Sequence, residues 1–327
     1  MPSSSSHRRW ASWLPYVTLV WALGYGSLRV VWTTTGRPWL PPIGDDLTVF
    51  SDLGIIGLAA ATAVLAPLLG STRGPRGVRR AAVVAGWGVT AALILASCLL
   101  VLDLVALLFQ GIGIPSSPAA LASRAGCLAG GVLLGLVTLE SGRRLRGACT
   151  RCGTTRPGVR PDPRDGAVPA ARRVLVVGYL AVLGCLGREI GQAIVGFGPD
   201  GNPYASGNLG AAIAFLVAFT LAGTLLPLAL VHDWGQVWPR WTLWLAGKRV
   251  PRWLVLGPAF LVSGSLVAYF GTGFAQVLFG GAGGGPGDET GFLFAAIVCY
   301  LVWGIALGVA AMSYFRRTRP ICSHCGG

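Results

Sequence analysis

Four of the eight cysteines in this chain form two short C-x-x-C-G segments, CTRCG at 149–153 and CSHCG at 322–326. Two thiolates at this spacing can reach the same metal ion, and two such pairs supply the four soft ligands of a tetrahedral zinc site. The glycine after the second cysteine lets the backbone turn around the ion. The sequence therefore predicts a structural zinc ion that joins the two halves of the chain, with the ligands Cys149, Cys152, Cys322 and Cys325.

The two segments resemble the half-knuckles of zinc-ribbon proteins over these ten residues, and the resemblance implies metal binding. A redox role stays open, because C-x-x-C pairs also carry out thiol–disulfide exchange. A chance pairing of unrelated cysteines is the third possibility. The remaining cysteines fall singly in apolar stretches, where a free cysteine behaves as a small hydrophobic residue. They are Cys98, Cys127, Cys185 and Cys299.

The composition indicates that the segments that position these cysteines belong to a membrane protein. Of the 327 residues, 53% are hydrophobic and only 12% are charged, against roughly 25% in soluble domains. This excludes a water-soluble fold. A helical span needs about 20 apolar residues, and eight stretches qualify; the third is long enough to be tilted or broken. The predicted spans are 12–33, 48–70, 81–110, 118–139, 173–197, 208–231, 253–279 and 291–315.

Basic residues predict the orientation of these spans. Arginines cluster in alternate loops and at the C-terminus, as in the series Arg73 to Arg80, Arg143 to Arg173 and Arg316 to Arg319. The intervening loops instead hold acidic residues, which are Asp45, Asp46, Asp200, Asp288 and Glu289. Since basic residues near span ends stay on the cytoplasmic side, both termini are predicted to be cytoplasmic. No basic module interleaved with aromatic residues is present, so the net charge of +14 does not indicate nucleic-acid binding. The expected partner is the lipid bilayer of the cell membrane.

The two halves of the chain are similar to each other. Residues 131–153 and 304–326 align without a gap and are identical at nine of 23 positions. Spans three and seven align from Val78 and Val250 at nearly the same offset. Because each copy has an even number of spans, the copies are predicted to be parallel four-helix repeats. The predicted boundaries are a first repeat at 1–153, a Pro- and Arg-rich cytoplasmic linker at 154–172 and a second repeat at 173–327.

Equivalent small-residue motifs recur in the fourth and eighth spans. G-x-x-x-G spacing puts two glycines on one helix face and lets another backbone approach closely. Their equivalence predicts that spans four and eight cross each other and bring the cysteine segments together. The residues are Gly131, Gly135, Gly304 and Gly308.

Six charged residues lie in or near the predicted outer halves of the spans. Such residues are costly in a membrane, so each is a functional candidate by default. Some can sit at headgroup level, and ion pairing between helices is an alternative to substrate contact. Arg29 is expected to face Asp52 and Asp103 to face Arg124, whereas Arg188 and Glu189 point about 100° apart and need other partners. The predicted cluster consists of Arg29, Asp52, Asp103, Arg124, Arg188 and Glu189.

No nucleotide-binding loop, metalloprotease motif or nucleophile elbow is present, so no enzyme class is assigned. The segments WLPYVTLVWALGYGSLRVVW and KRVPRWLVLGPAF resemble multi-pass membrane proteins of GC-rich Gram-positive bacteria, and this resemblance implies no activity. Three functions stay open. The first is a transporter or permease for a small solute; the second is a sensor or assembly module whose zinc segment binds a cytoplasmic protein; the third is a membrane thiol oxidoreductase.

Overall fold

The structure, a computed structural model, consists of α-helices joined by loops in the part of the chain that it describes. The described residues are 4–36, 50–71, 74–109, 117–149, 170–195, 209–238, 244, 246–279 and 288–318. The helices are α1 (Ser4–Thr35), α2 (Asp52–Gly70), α3 (Arg76–Ala96), α4 (Leu100–Leu108), α5 (Pro118–Leu145), α6 (Arg172–Val195), α7 (Leu209–Val231), α8 (Arg252–Phe279) and α9 (Asp288–Arg317).

Within the described residues, eight helical segments are long and apolar enough to cross a bilayer, with α3 and α4 counted together as one. Each corresponds to a predicted span, and the chain is a helical protein of multi-pass membrane type. The third span is broken, because α3 ends at Ala96 and α4 begins at Leu100. In the break, Ser97 donates its hydroxyl to the carbonyl of Ile94 at 2.7 Å. Such a side-chain bond competes with the regular helical pattern and favours a turn.

Serine caps fix the starts of two helices. The Oγ of Ser51 accepts a hydrogen bond from the backbone N–H of Gly54 at 3.2 Å. The Oγ of Ser117 accepts one from Ala120 at 3.0 Å, and proline follows at the first helical position of α5. Both caps satisfy backbone donors that the helix leaves free. The beginnings of α2 and α5 are therefore determined locally by sequence.

Contacts divide the described helices into two units. Unit 1 contains α1, α2, α3 and α5, and unit 2 contains α4 and α6 to α9. In unit 1, α5 packs against α1, α2 and α3, while α2 also packs against α1 and α3. In unit 2 the corresponding five pairs pack, with α6, α7, α8 and α9 in the places of α1, α2, α3 and α5. The short α4, which the predicted boundaries place in the first repeat, belongs by its contacts to unit 2.

Glycines allow α5 to lie close to α3. A Cβ atom added at Gly131 would lie 3.0 Å from Cγ1 of Ile94. One added at Gly135 would lie 3.2 Å from Cγ2 of Thr90. Larger side chains at either position would push the two helices apart.

The same contact is made by α9 on α8. A Cβ atom at Gly304 would lie 2.9 Å from Cβ of Leu266, and one at Gly308 would lie 2.6 Å from Oγ of Ser263. Ser263 also donates a hydrogen bond to the carbonyl of Gly304 at 2.7 Å. Gly131 corresponds to Gly304 and Thr90 to Ser263 at a common offset, 304 − 131 = 263 − 90 = 173. The sequence alignment of α3 with α8 from Val78 and Val250 gives an offset of 172 residues. The positions that α3 and α8 occupy in the helix contacts therefore differ from the sequence alignment by one residue.

The four glycines thus make close helix contacts inside each unit, on α3 in unit 1 and on α8 in unit 2. A crossing of α5 with α9 stays a prediction. The contacts with α3 and α8 account for the glycines without such a crossing, so these residues no longer argue for it.

Candidate functional site

The end of α5 directs the chain into the first cysteine segment. The N–H of Ala148 bonds to the carbonyl of Arg143 at 3.0 Å, and the N–H of Gly147 bonds to that of Arg144 at 3.2 Å. Gly147 has a φ of +62°. These bonds and the left-handed glycine form a Schellman motif, which ends the helix and reverses the chain. Cys149 follows directly as a half-buried free thiol.

The other three predicted zinc ligands, Cys152, Cys322 and Cys325, lie outside the described residues. Among the residues that are described, no group of three or more His, Cys, Asp or Glu side chains is placed to hold a metal ion. Cys127 and Cys185 are buried in helices, Cys98 is buried in the break between α3 and α4, and Cys299 is half-buried. The zinc site therefore stays a prediction.

A polar network inside unit 1 is centred on Arg29 of α1. Its NH1 donates to Oγ of Ser123 on α5 at 2.9 Å, and its NH2 forms an ion pair with the carboxylate of Asp52 at the start of α2. Only 5% of the Arg29 side chain is exposed, against 55% of that of Asp52. The predicted pairing of these two residues is confirmed. The network ties three helices together and opens to the surroundings through Asp52.

Tyr25, one helical turn before Arg29, extends this network. Its hydroxyl donates to the carbonyl of Ser123 at 2.8 Å and lies 3.2 Å from Sγ of Cys127. Sequence reasoning missed the role of Tyr25, Ser123 and Cys127. The available signal was their spacing, since Tyr25 and Arg29, like Ser123 and Cys127, are four residues apart and share a helix face.

Two further predicted members occupy different units. Arg124 is half-buried on α5 of unit 1. Asp103 is 2% exposed on α4 of unit 2. The side chain of Asp103 is therefore enclosed by packed side chains.

In the part of the chain that the structure describes, Arg188 of α6 contacts aromatic rings and an amide. Its guanidinium carbon lies 5.7 Å from the ring centre of Phe292 and 5.3 Å from that of Tyr300, both on α9. Its NH2 donates to the side-chain carbonyl of Gln192, one turn later. Its buried Nε has no hydrogen-bond partner among the described residues. Contacts of this kind stabilise a cation electrostatically while leaving most N–H donors unused.

Glu189 turns to a different helix. Its Oε1 accepts a hydrogen bond from the hydroxyl of Thr220 on α7 at 2.7 Å. Arg188 and Glu189 therefore have separate partners on α9 and α7, as their spacing predicts. Within the described part of the chain neither takes part in an ion pair.

The opposite end of unit 2 carries a tethered loop between α7 and α8. The hydroxyl of Tyr314 donates to the carbonyl of Gly235 at 2.7 Å, and NH2 of Arg317 donates to that of Leu230 at 2.6 Å. An antiparallel bridge joins Val237 and Arg249 across the loop. Leu230 lies in the last turn of α7, whose carbonyls lack helical partners, so Arg317 acts as a C-terminal cap.

Comparison of this chain with protein-family models, curated proteins and solved structures gives no match in any of the three.

Proposed function

We propose that this membrane protein is a transporter or permease for a small solute. The observation that carries the proposal is the pair Arg188 and Glu189, two charged side chains within one span. Among the described residues neither side chain has an ion-pair partner, and each is held by uncharged groups, Arg188 by Gln192 and two aromatic rings and Glu189 by Thr220. Charged groups kept in a span without mutual neutralisation are typical of substrate or ion pathways.

The polar network of unit 1 also supports this function. Asp52 is more than half exposed while its partner Arg29 is enclosed, so the pair connects the interior of the unit with its surroundings. Such a pair can be opened by a competing charged group without unfolding the helices. We assign Arg29, Asp52 and Arg124 in unit 1, and Asp103, Arg188 and Glu189 in unit 2, as the candidate solute contacts of each unit.

We further propose that the two units arose from parallel four-helix repeats with cytoplasmic termini. The same five helix pairs pack in each unit. The glycine contacts of α5 on α3 and of α9 on α8 recur at the constant offset of 173 residues. Equivalent arginines also end the last helix of each unit, Arg143 and Arg144 on α5 and Arg316 and Arg317 on α9.

A structural zinc ion bound by Cys149, Cys152, Cys322 and Cys325 completes the proposal. Its support is the half-buried free thiol of Cys149, which the Schellman motif places just beyond α5. We expect purified protein to contain one zinc ion per chain and the Cys149→Ser, Cys322→Ser variant to contain none, by elemental analysis. A Cys299→Ser variant is the control. Zinc-free protein whose Cys149 alkylates only after reduction would favour the thiol oxidoreductase instead.

Transport is tested by flux into proteoliposomes that contain the purified full chain. Radiolabelled amino acids, sugars, short carboxylates and inorganic phosphate are supplied separately, with protein-free vesicles as blanks. We expect uptake of at least one class, strongly reduced by Arg188→Gln and by Glu189→Gln but not by Arg316→Gln at the other end of unit 2. Absence of uptake in every class would overturn the proposal. Loss of a co-purifying cytoplasmic protein in the cysteine variant would then favour the assembly module.

A further inference from the structure

Arg188 has more hydrogen-bond donors than its surroundings use. A guanidinium carries five N–H donors in a rigid plane. Gln192 accepts from NH2, the hydroxyl of Tyr300 is also hydrogen-bonded to the guanidinium, and the ring of Phe292 lies against the cation without supplying a conventional acceptor. The Nε atom is buried and has no partner in the described residues. Arg29 also has a buried Nε without a partner in the described residues, but its two terminal nitrogens are occupied by a carboxylate and a hydroxyl.

Position and rigidity both suit this guanidinium for a ligand. Arg188 lies six residues before the end of its candidate span at Ile194, a depth of about 9 Å along the helix. Its side chain is half-buried and can therefore be reached. The ring of Tyr300 is itself stacked on Phe270 of α8, with centroids 3.9 Å apart and planes at 10°. The aromatic contacts hold the guanidinium in place before any ligand arrives.

We propose that Arg188 is an anion-binding residue whose planar donor edge binds a carboxylate or phosphate group, with Gln192 and Tyr300 orienting it. Arginine is suited to this task because its fork matches the two oxygens of such a group. Arg188 and Glu189 are not paired with each other, since Glu189 accepts a hydrogen bond from Thr220 on α7 while Arg188 lies against α9. As the substrate contact of a transporter, this site rests on the function proposed above; as an anion site, it stands independently.

The first test measures binding without flux. Full-length protein in a neutral detergent is titrated with inorganic phosphate and with acetate at constant ionic strength, by calorimetry and thermal shift. Charge-assisted hydrogen bonds contribute about 1.5–3 kcal/mol, so Arg188→Gln should weaken binding about tenfold or more. Arg188→Lys keeps the charge but loses the fork, and should give an intermediate loss. Arg316→Gln is the matched control and should bind like the wild type.

The phosphate group of a phospholipid is a second source of the same chemistry. If a phospholipid is the ligand, native mass spectrometry of protein purified from membranes should detect a bound phospholipid on the wild type and none on Arg188→Gln. Tyr300→Leu should weaken the binding of a soluble anion or of a phospholipid several-fold while the charge of Arg188 is kept. This variant tests the proposal even if Arg188→Gln misfolds.

The outcomes separate the two proposals. Saturable binding of phosphate or acetate that depends on Arg188 supports a soluble anion, and an Arg188-dependent lipid adduct supports a headgroup. If wild type and Arg188→Gln show the same soluble-anion binding and the same lipid content, the anion site is wrong. Protein that binds an anion through Arg188 but carries no solute keeps this inference and loses the transport function.

Discussion

Arg29 and Asp52 form an ion pair in which the cation is enclosed by unit 1 and the anion is open to its surroundings. The two partners are therefore not equivalent when one of them is removed. An enclosed guanidinium without its carboxylate has no way to regain solvent, whereas an exposed carboxylate can be solvated by water or headgroups. The asymmetry leads to a test of how the network is stabilised.

We expect Asp52→Asn to lower the free energy of unfolding by about 2 kcal/mol and Arg29→Met to lower it by less. Unfolding in mixed micelles, followed by circular dichroism, measures both. Asp52 also lies in the first turn of α2, where an acid interacts favourably with the helix dipole. Adding Asp52→Asn to the Arg29→Met variant measures the contribution of the Asp52–helix dipole interaction alone, because the ion pair is already absent. A larger loss from Arg29→Met than from Asp52→Asn would contradict the asymmetry.

The glycine contacts predict a matched pair of destabilised variants. Gly131→Leu and Gly304→Leu should each lower stability by about 1–3 kcal/mol, because the added side chain must overlap α3 or α8. Gly88→Leu and Gly257→Leu are the controls, since an added Cβ at either position meets nothing within 4 Å. The same unfolding measurement compares all four. Equal effects at the four positions would show that helix approach is not what the glycines provide.

Tyr314 and Arg317 should hold the loop between α7 and α8. Tyr314→Phe leaves the buried carbonyl of Gly235 without its donor, at a cost of about 1–3 kcal/mol. We expect faster hydrogen–deuterium exchange in residues 232–238 for this variant and for Arg317→Gln, but not for Arg316→Gln. Exchange that stays at the wild-type rate in all three variants would show that the tether is dispensable.

The Schellman motif at the end of α5 gives a prediction about the first cysteine segment. An alanine at Gly147 must adopt a left-handed conformation, which costs about 1–2 kcal/mol. We expect Gly147→Ala to increase hydrogen exchange at residues 145–149 and to lower the zinc content of the purified protein. Gly142→Ala is the control, because its Cβ would make an ordinary contact at 3.7 Å. Unchanged exchange would contradict the role of Gly147 regardless of zinc.

The number of spans and the pairing of Arg29 with Asp52 could be predicted from sequence. Helix length in a bilayer is fixed by hydrocarbon thickness, and opposite charges at the same depth on neighbouring helices attract. The long third span likewise indicated a break, although only the hydrogen bond of Ser97 locates it.

Other features depend on packing that spacing alone does not specify. A G-x-x-x-G motif indicates a helix face that permits close approach, but it does not specify which helix packs there. The partners α3 and α8 are therefore known only from the structure. The one-residue shift in the offset of α8 has the same origin, because a sequence alignment scores identities and not buried faces. Tyr25 and Tyr300 were missed because an aromatic residue in a span is usually apolar filling or an interfacial anchor.

Because α4 belongs to unit 2, the chain passes between the two units more than once. The chain leaves unit 1 after α3, returns to it with α5 and leaves again before α6. A cut in the linker at 154–172 would therefore produce an N-terminal fragment that carries a helix belonging to unit 2. Neither fragment would then consist of one complete unit, so we expect the severed pieces to be more stable when they are synthesised together than when either is made alone.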